Sequence, residues 1–336
     1  MQFKRWRIVP GARLVNAGLA SCLYFLSACG SESADTASEP ALPQAQPQSN
    51  IGLELPAVWN TSDLDGPVSQ LALAGGGASL LAIVYEDGGL QLFDLEAERV
   101  TETVPMDVAM VSTGAYADFA GVPLSIFPGV SAEGELVAYL YGEPLGAPQA
   151  IALPIEADGK ILGICSRGRS YFEGGILDLA FWTDAAPNTA TIGVLSSEDG
   201  ELSYEASTVE KPGDAISCAY QDAGPVYLEA DVSELAVLNR PAGSNYVGLR
   251  DTGQLIYRRG EGEVDSLGLR DGISVRVPDS ISDIAALGMA FGGGYPEGLI
   301  VVAGPVNGHD QVVFVDAGAL TRPDVEASRS SGDALD

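Results

Sequence analysis

Histidine is almost missing from this chain, with His309 the only one in 336 residues. A zinc site built on two or three histidines is therefore excluded. A Ser-His-Asp triad would have to use His309, which sits in the turn Gly304-Pro305-Val306-Asn307-Gly308-His309-Asp310 with no nucleophile motif beside it. Basic residues are also scarce, 17 Lys and Arg against 46 Asp and Glu, for a formal charge of −29. Nucleic acid binding relies on Lys and Arg clusters, so nucleic acid is not expected as a partner. No phosphate loop of the nucleotide-binding kind occurs. Gly75-Gly76-Gly77 and Gly292-Gly293-Gly294 lack the lysine and the helix such loops need, and both read as turns. Helical periodicity is nearly absent. Only Cys165 and Cys218 lie in the part expected to fold, where they either pair in an oxidising compartment or stay as two buried thiols.

The first 28 residues read as a targeting segment. Lys4, Arg5, Arg7 and Arg13 make a basic start without acids, and an apolar stretch runs from Leu14 to Ala28. That stretch is too short and too abruptly ended for a spanning helix. Leu26-Ser27-Ala28-Cys29 resembles the lipobox of bacterial lipoproteins. The resemblance implies cleavage before Cys29, lipid on its sulfur and export to a bacterial membrane. Gly30 in the next position, rather than Asp, fits the outer membrane, on its periplasmic or surface face. Residues 29–56 then read as a linker rich in Ser, Ala, Glu, Gln and Pro, a composition that cannot bury a core. As a coil it would span roughly 30 Å. The expected folded part is 57–323, and 324–336 reads as a disordered tail.

Losing the four basic residues of the leader takes the chain to about −33. Such acidity serves solubility or the binding of hard cations, because calcium takes six to eight oxygen ligands. Charge by itself does not separate the two.

Between 57 and 323 the sequence is strand after strand. Ser79–Tyr85 turns at Glu86-Asp87-Gly88-Gly89 into Leu90–Leu95, which alternates at period two. The same pattern predicts hairpins from Glu135–Tyr141 with Gln149–Ile155, Thr191–Ser197 with Glu201–Ser207, and Pro225–Asp231 with Leu235–Arg240. Two more follow, Tyr246–Asp251 with Gln254–Arg259 and Gly298–Gly304 with Gln311–Ala317. One hairpin about every 45 residues predicts an all-β β-propeller, with six blades from the hairpin count. A pair of β-sandwiches would place strands more tightly. Arg258-Arg259 reads as an edge charge pair that discourages sheet-to-sheet pairing.

At this level the chain resembles the β-propeller phytases, calcium-dependent bacterial hydrolases of myo-inositol hexakisphosphate. Three segments carry the resemblance, in the family's order. They are DIAALGMAFGGGYPEGLIVVAGPVNGHDQVVFVDAGAL from Asp283 to Leu320, LLAIVYEDGGLQLFDLEAERV at 80–100, and ILGICSRGRSYF at 161–172. The resemblance implies calcium held by carboxylates at a central channel, activating water against a phosphate monoester. Asp65, Asp199, Glu229, Asp231 and Asp283 would be its calcium ligands, and Arg167 and Arg169 its phosphate contacts.

The departures cut against catalysis. Paired acids of the family become Leu64-Asp65-Gly66-Pro67-Val68, and a phosphate-facing lysine becomes Glu198 before Asp199-Gly200. Asp214-Ala215-Ile216-Ser217-Cys218 lacks a glutamate next to the cysteine, and Ala286-Leu287-Gly288-Met289-Ala290 lacks two acids. A fold can outlive its site. Two functions are therefore expected from this sequence: a divergent phytase-like phosphomonoesterase, or a non-catalytic propeller that binds a partner or assists an active phytase.

Overall fold

The computed structural model describes residues 53–321 apart from 77–78, 120, 168–174, 199–200, 222, 229, 241–242 and 289–294. Its regular secondary structure is almost entirely strand. Its architecture follows from runs such as Leu80–Tyr85, Leu90–Phe93 and Asp283–Leu287, buried along their whole length and so covered from two sides. Val68–Gly75 (β2), Leu80–Tyr85 (β3) and Leu90–Phe93 (β4) form the first antiparallel unit. Along β2, Leu71 and Leu73 enter one core cluster while Ala72 and Ala74 enter another. Gly88 and Gly89, with φ of 90° and 108°, make the turn that L side chains resist.

The second unit has an inner strand broken into Val108–Val111 (β5) and Gly114–Phe119 (β6), followed by Val122–Ser131 (β7), Leu136–Tyr141 (β8) and Gln149–Ala152 (β9). The third is Ile161–Arg167 (β10), Gly175–Thr183 (β11), Thr189–Glu198 (β12) and Glu201–Glu210 (β13). A small hairpin, Ala219–Gln221 (β14) with Gly224–Val226 (β15), comes next. The fifth unit is Val232–Leu238 (β16), Asn245–Arg250 (β17), Leu255–Arg259 (β18) and Val264–Arg270 (β19). The last is Asp283–Leu287 (β20), Leu299–Val306 (β21) and His309–Asp316 (β22), with a short helix, Gly318–Thr321 (α1), after it.

These units form a closed ring. Among the described residues the core divides into six clusters, one per junction between neighbouring units. The cluster holding Leu73, Ile83, Val301 and Phe314 joins the last unit to the first. The fold is thus a β-propeller of six positions, one of them reduced to the β14–β15 hairpin. The clusters on either side of that hairpin are the two smallest.

Leu53–Asn60 (β1) closes the ring from the other end of the chain. Its first half runs parallel to β19, with Leu55 opposite Leu269. Its second half pairs antiparallel with β22, with a bulge between Ala57 and Trp59. Ordered strand therefore begins inside the stretch expected as linker to residue 56, because Leu55 and Ala57 have a core to enter.

Two other expectations are corrected. Pro225–Asp231 does not pair with Leu235–Arg240: β15 pairs back to β14, and β16 pairs forward to β17. The turn between them looked like a hairpin because both flanks are apolar. Arg258 and Arg259 lie on β18, an interior strand, and stack over the Tyr246 and Tyr257 rings with guanidinium carbons 4.4 and 5.7 Å from the centroids.

Candidate functional site at the propeller axis

The inner strands β2, β5–β6, β10, β14, β16 and β20 surround a narrow axial cavity of about 70 Å³, lined by residues from all six positions. That holds a few waters and falls far below the roughly 300–1,000 Å³ of ordinary ligand pockets.

A ring of cross-blade ties encircles this axis. Asp283 on β20 accepts a hydrogen bond from the Leu71 amide of β2. Gln70 Oε1 accepts from the Val111 amide at 2.7 Å. Ser166 on β10 donates to the Thr113 carbonyl, its hydroxyl 3.0 Å from that of Ser112. A disulfide joins Cys165 to Cys218, with Cα atoms 5.7 Å apart. Asn239 Nδ2 donates to the Tyr220 carbonyl at 3.1 Å.

At the remaining junction, between β16 and β20, two acids lie near enough to repel each other, Glu234 and Asp283. Burial and the neighbouring Glu234 charge hold Asp283 well above the usual carboxylate range, with hydrogen bonds from the Ile284 and Leu71 amides opposing. Burial pushes Glu234 up to about 7. Two acids sharing one site cannot both ionise cheaply, so the pair retains a proton near neutrality. This pair is the most chemically distinctive feature of the axis.

Each expected site residue whose position is described has a partner of its own. Asp65 pairs with Arg99 at 3.2 Å and accepts from Thr103 Oγ1 at 2.5 Å. Asp231 forms an ion pair with Arg250. Asp283 is the only one of the expected ligands at the axis whose position is described. Asp199, Glu229 and Arg169 lie outside the described residues, as does Cys29. Arg167 is 7% exposed and pairs with the buried Asp178 at 3.7 Å, so its guanidinium does not face solvent. Among the described residues, no three His, Cys, Asp or Glu side chains gather as a metal site.

Two features escaped sequence reasoning. Glu234 carried no signal, because its meeting with Asp283 depends on ring closure. Lys211 is 3% exposed and donates to the Pro212 and Ala215 carbonyls, each at 2.7 Å. Its ammonium lies 5.1 Å from the Trp182 ring centroid and 5.9 Å from that of Tyr227. Burial lowers its pKa. It acts as an internal strut beside the reduced blade.

No protein-family model matches the chain, and no curated protein sequence matches it. Solved structures similar in fold include AofleA from Arthrobotrys oligospora, at 12% identity and a TM-score of 0.47 over 75% of this chain and 84% of that one. Another is the SapL1 lectin in complex with alpha methyl fucoside, at 10% identity and a TM-score of 0.43 over 75% and 96%. A third is BBS1N in complex with ARL6DN, at 11% identity and a TM-score of 0.40 over 80% and 97%. Likeness at this level says nothing about ligand or activity.

Proposed function

We propose that this chain is a non-catalytic β-propeller that serves as a binding platform, tethered to a bacterial outer membrane through lipid on Cys29. One observation carries this reading: the axis is closed down to about 70 Å³ and its blades are tied to one another there. A hexakisphosphate has no room in such a space. Asp65 and Asp231 support the same reading, since their charge is already matched by Arg99 and Arg250. The phytase-like alternative rests on the three resembling segments and would need Asp199 and Glu229 to supply most of a calcium site.

Phosphate release from phytate by the full chain, with millimolar calcium and with a chelator, separates the two. A binding platform releases none in either condition. Calcium-dependent release that falls in Asp199→Ala or Glu229→Ala overturns the proposal. Melting curves give a second readout, because calcium bound only by the native state raises the melting temperature by mass action.

A further inference from the structure

The outer rim of the propeller carries one strand unlike the others. Four described strands end a sheet on its outer side: β4 and β9 with four residues each, β15 with three, and β13 with ten. The outer strands β19 and β22 are covered by β1. Along β13 all ten residues pair with β12 without a register shift, from Thr189 opposite Glu210 to Glu198 opposite Glu201. Most of its side chains are exposed. Edge strands are usually blunted by charged side chains (Lys above all), Pro, a bulge or shortness. Glu201-Leu202-Ser203-Tyr204-Glu205-Ala206-Ser207-Thr208-Val209-Glu210 has no Lys, no Pro, no bulge and full length, and its only blunting device is the negative charge of three glutamates.

β13 is also held firmly. Tyr204 crosses over Gly193, where any Cβ would strike its ring and the Glu205 carbonyl, and its hydroxyl donates to the Leu179 carbonyl on β11 at 3.1 Å. The register brings Glu198 and Glu201 together across a two-residue loop, which makes them a hydrogen-bonded pair. By alternation, the amides and carbonyls of Leu202, Tyr204, Ala206 and Thr208 point away from β12, toward the open edge.

We infer that the outer edge of β13 is a docking edge for an extended, basic segment of a partner protein, added to the sheet as a fifth strand. Charge selects the occupant. β13 carries Glu201, Glu205 and Glu210 and no cation. A second copy pairing antiparallel in register would set Glu201 against Glu210, which disfavours self-association. An antiparallel partner strand of ten residues meets the three acids with its first, sixth and tenth positions, so Lys or Arg belongs there. This edge is remote from the axial carboxylates and does not depend on whether the axis is catalytic.

The test uses the full chain and a ten-residue peptide of alternating Thr and Val with Lys at positions 1, 6 and 10. Amide hydrogen exchange should slow at Leu202, Tyr204, Ala206 and Thr208 when the peptide is added. The same peptide with Glu at those positions should bind roughly tenfold or more weakly, because opposed charges across paired strands attract and like charges repel. Ala206→Pro removes an outward amide at a position where an edge strand tolerates proline, and should abolish the protection. Should that variant unfold, the exposed Glu205→Lys substitution takes its place and should weaken binding of the Lys peptide. No protection with the Lys peptide, equal binding of the Glu peptide, or dimerisation through β13 would each overturn the inference.

Discussion

The carboxylate of Asp283, in the first strand of the last blade, accepts a hydrogen bond from the backbone amide of Leu71, in the first strand of the first. The contact spans 212 positions of sequence and ties the last blade to the first at the axis. Asp283→Ala leaves a buried amide without an acceptor, which costs about 1–3 kcal/mol. Asp283→Asn keeps an acceptor and removes a charge that burial and Glu234 both oppose. Urea unfolding at pH 8 should rank Asn at or above the wild type and Ala below it. Equal losses in the two variants would show that the hydrogen bond is not what matters.

The Glu234–Asp283 pair makes stability depend on pH. Glu234 is raised in the folded state from 4.5 to about 7, and Asp283 is raised as well. The native state therefore binds more protons than the unfolded chain between these values, and stability falls as pH rises through that window. The melting temperature should be higher at pH 5 than at pH 8, and Glu234→Gln should flatten the difference. An unchanged profile in that variant would remove Glu234 as its source.

The disulfide sits where the ring is thinnest. Cys165 and Cys218 belong to the small cluster between the third blade and the β14–β15 hairpin, together with Trp182 and Tyr220. Closing a loop across a sequence separation of 53 stabilises by about 4 kcal/mol in the chain-entropy account. Reduction, or the Cys165→Ala and Cys218→Ala pair, should lower the melting temperature. The change should register early in Trp182 fluorescence, since that ring lies in the same cluster.

The closing strand β1 predicts a contrast between two neighbouring side chains. Leu55 is fully buried in the largest of the junction clusters, and Leu55→Ala should cost about 2–5 kcal/mol in chemical denaturation. Trp59 is 55% exposed, and Trp59→Ala should stay within about 0.5 kcal/mol of the wild type.

The second and third strands of the blades were legible because hairpins announce themselves locally. Leu80–Tyr85 with Leu90–Phe93 and Asn245–Arg250 with Leu255–Arg259 are apolar-rich runs set around Gly-containing turns a few residues long. Inner strands gave weaker signals. β5 and β6 are one inner edge split at Ser112-Thr113, and β14 has only three residues. β1 was hidden for another reason: Pro56 and the Pro-rich, polar residues before the strand suit a linker, and its partners lie more than 200 residues away. The axial pair was invisible on the same ground. Nothing near Glu234 in sequence indicates that it will face Asp283.

The position of β1 fixes an order of assembly. It is the first of the described strands, yet both strands that hold it lie in 264–316, so it can be fully placed only after nearly every other described strand exists. Pairings this distant are slow to form. Until then β1 is a bare edge with Leu53 and Leu55 uncovered, open to mispairing or to a chaperone. Closure therefore works as a check on completeness: a chain cut short before β22 can still set the first half of β1 against β19, but Ala57, Trp59 and Asn60 lose the strand that closes the ring.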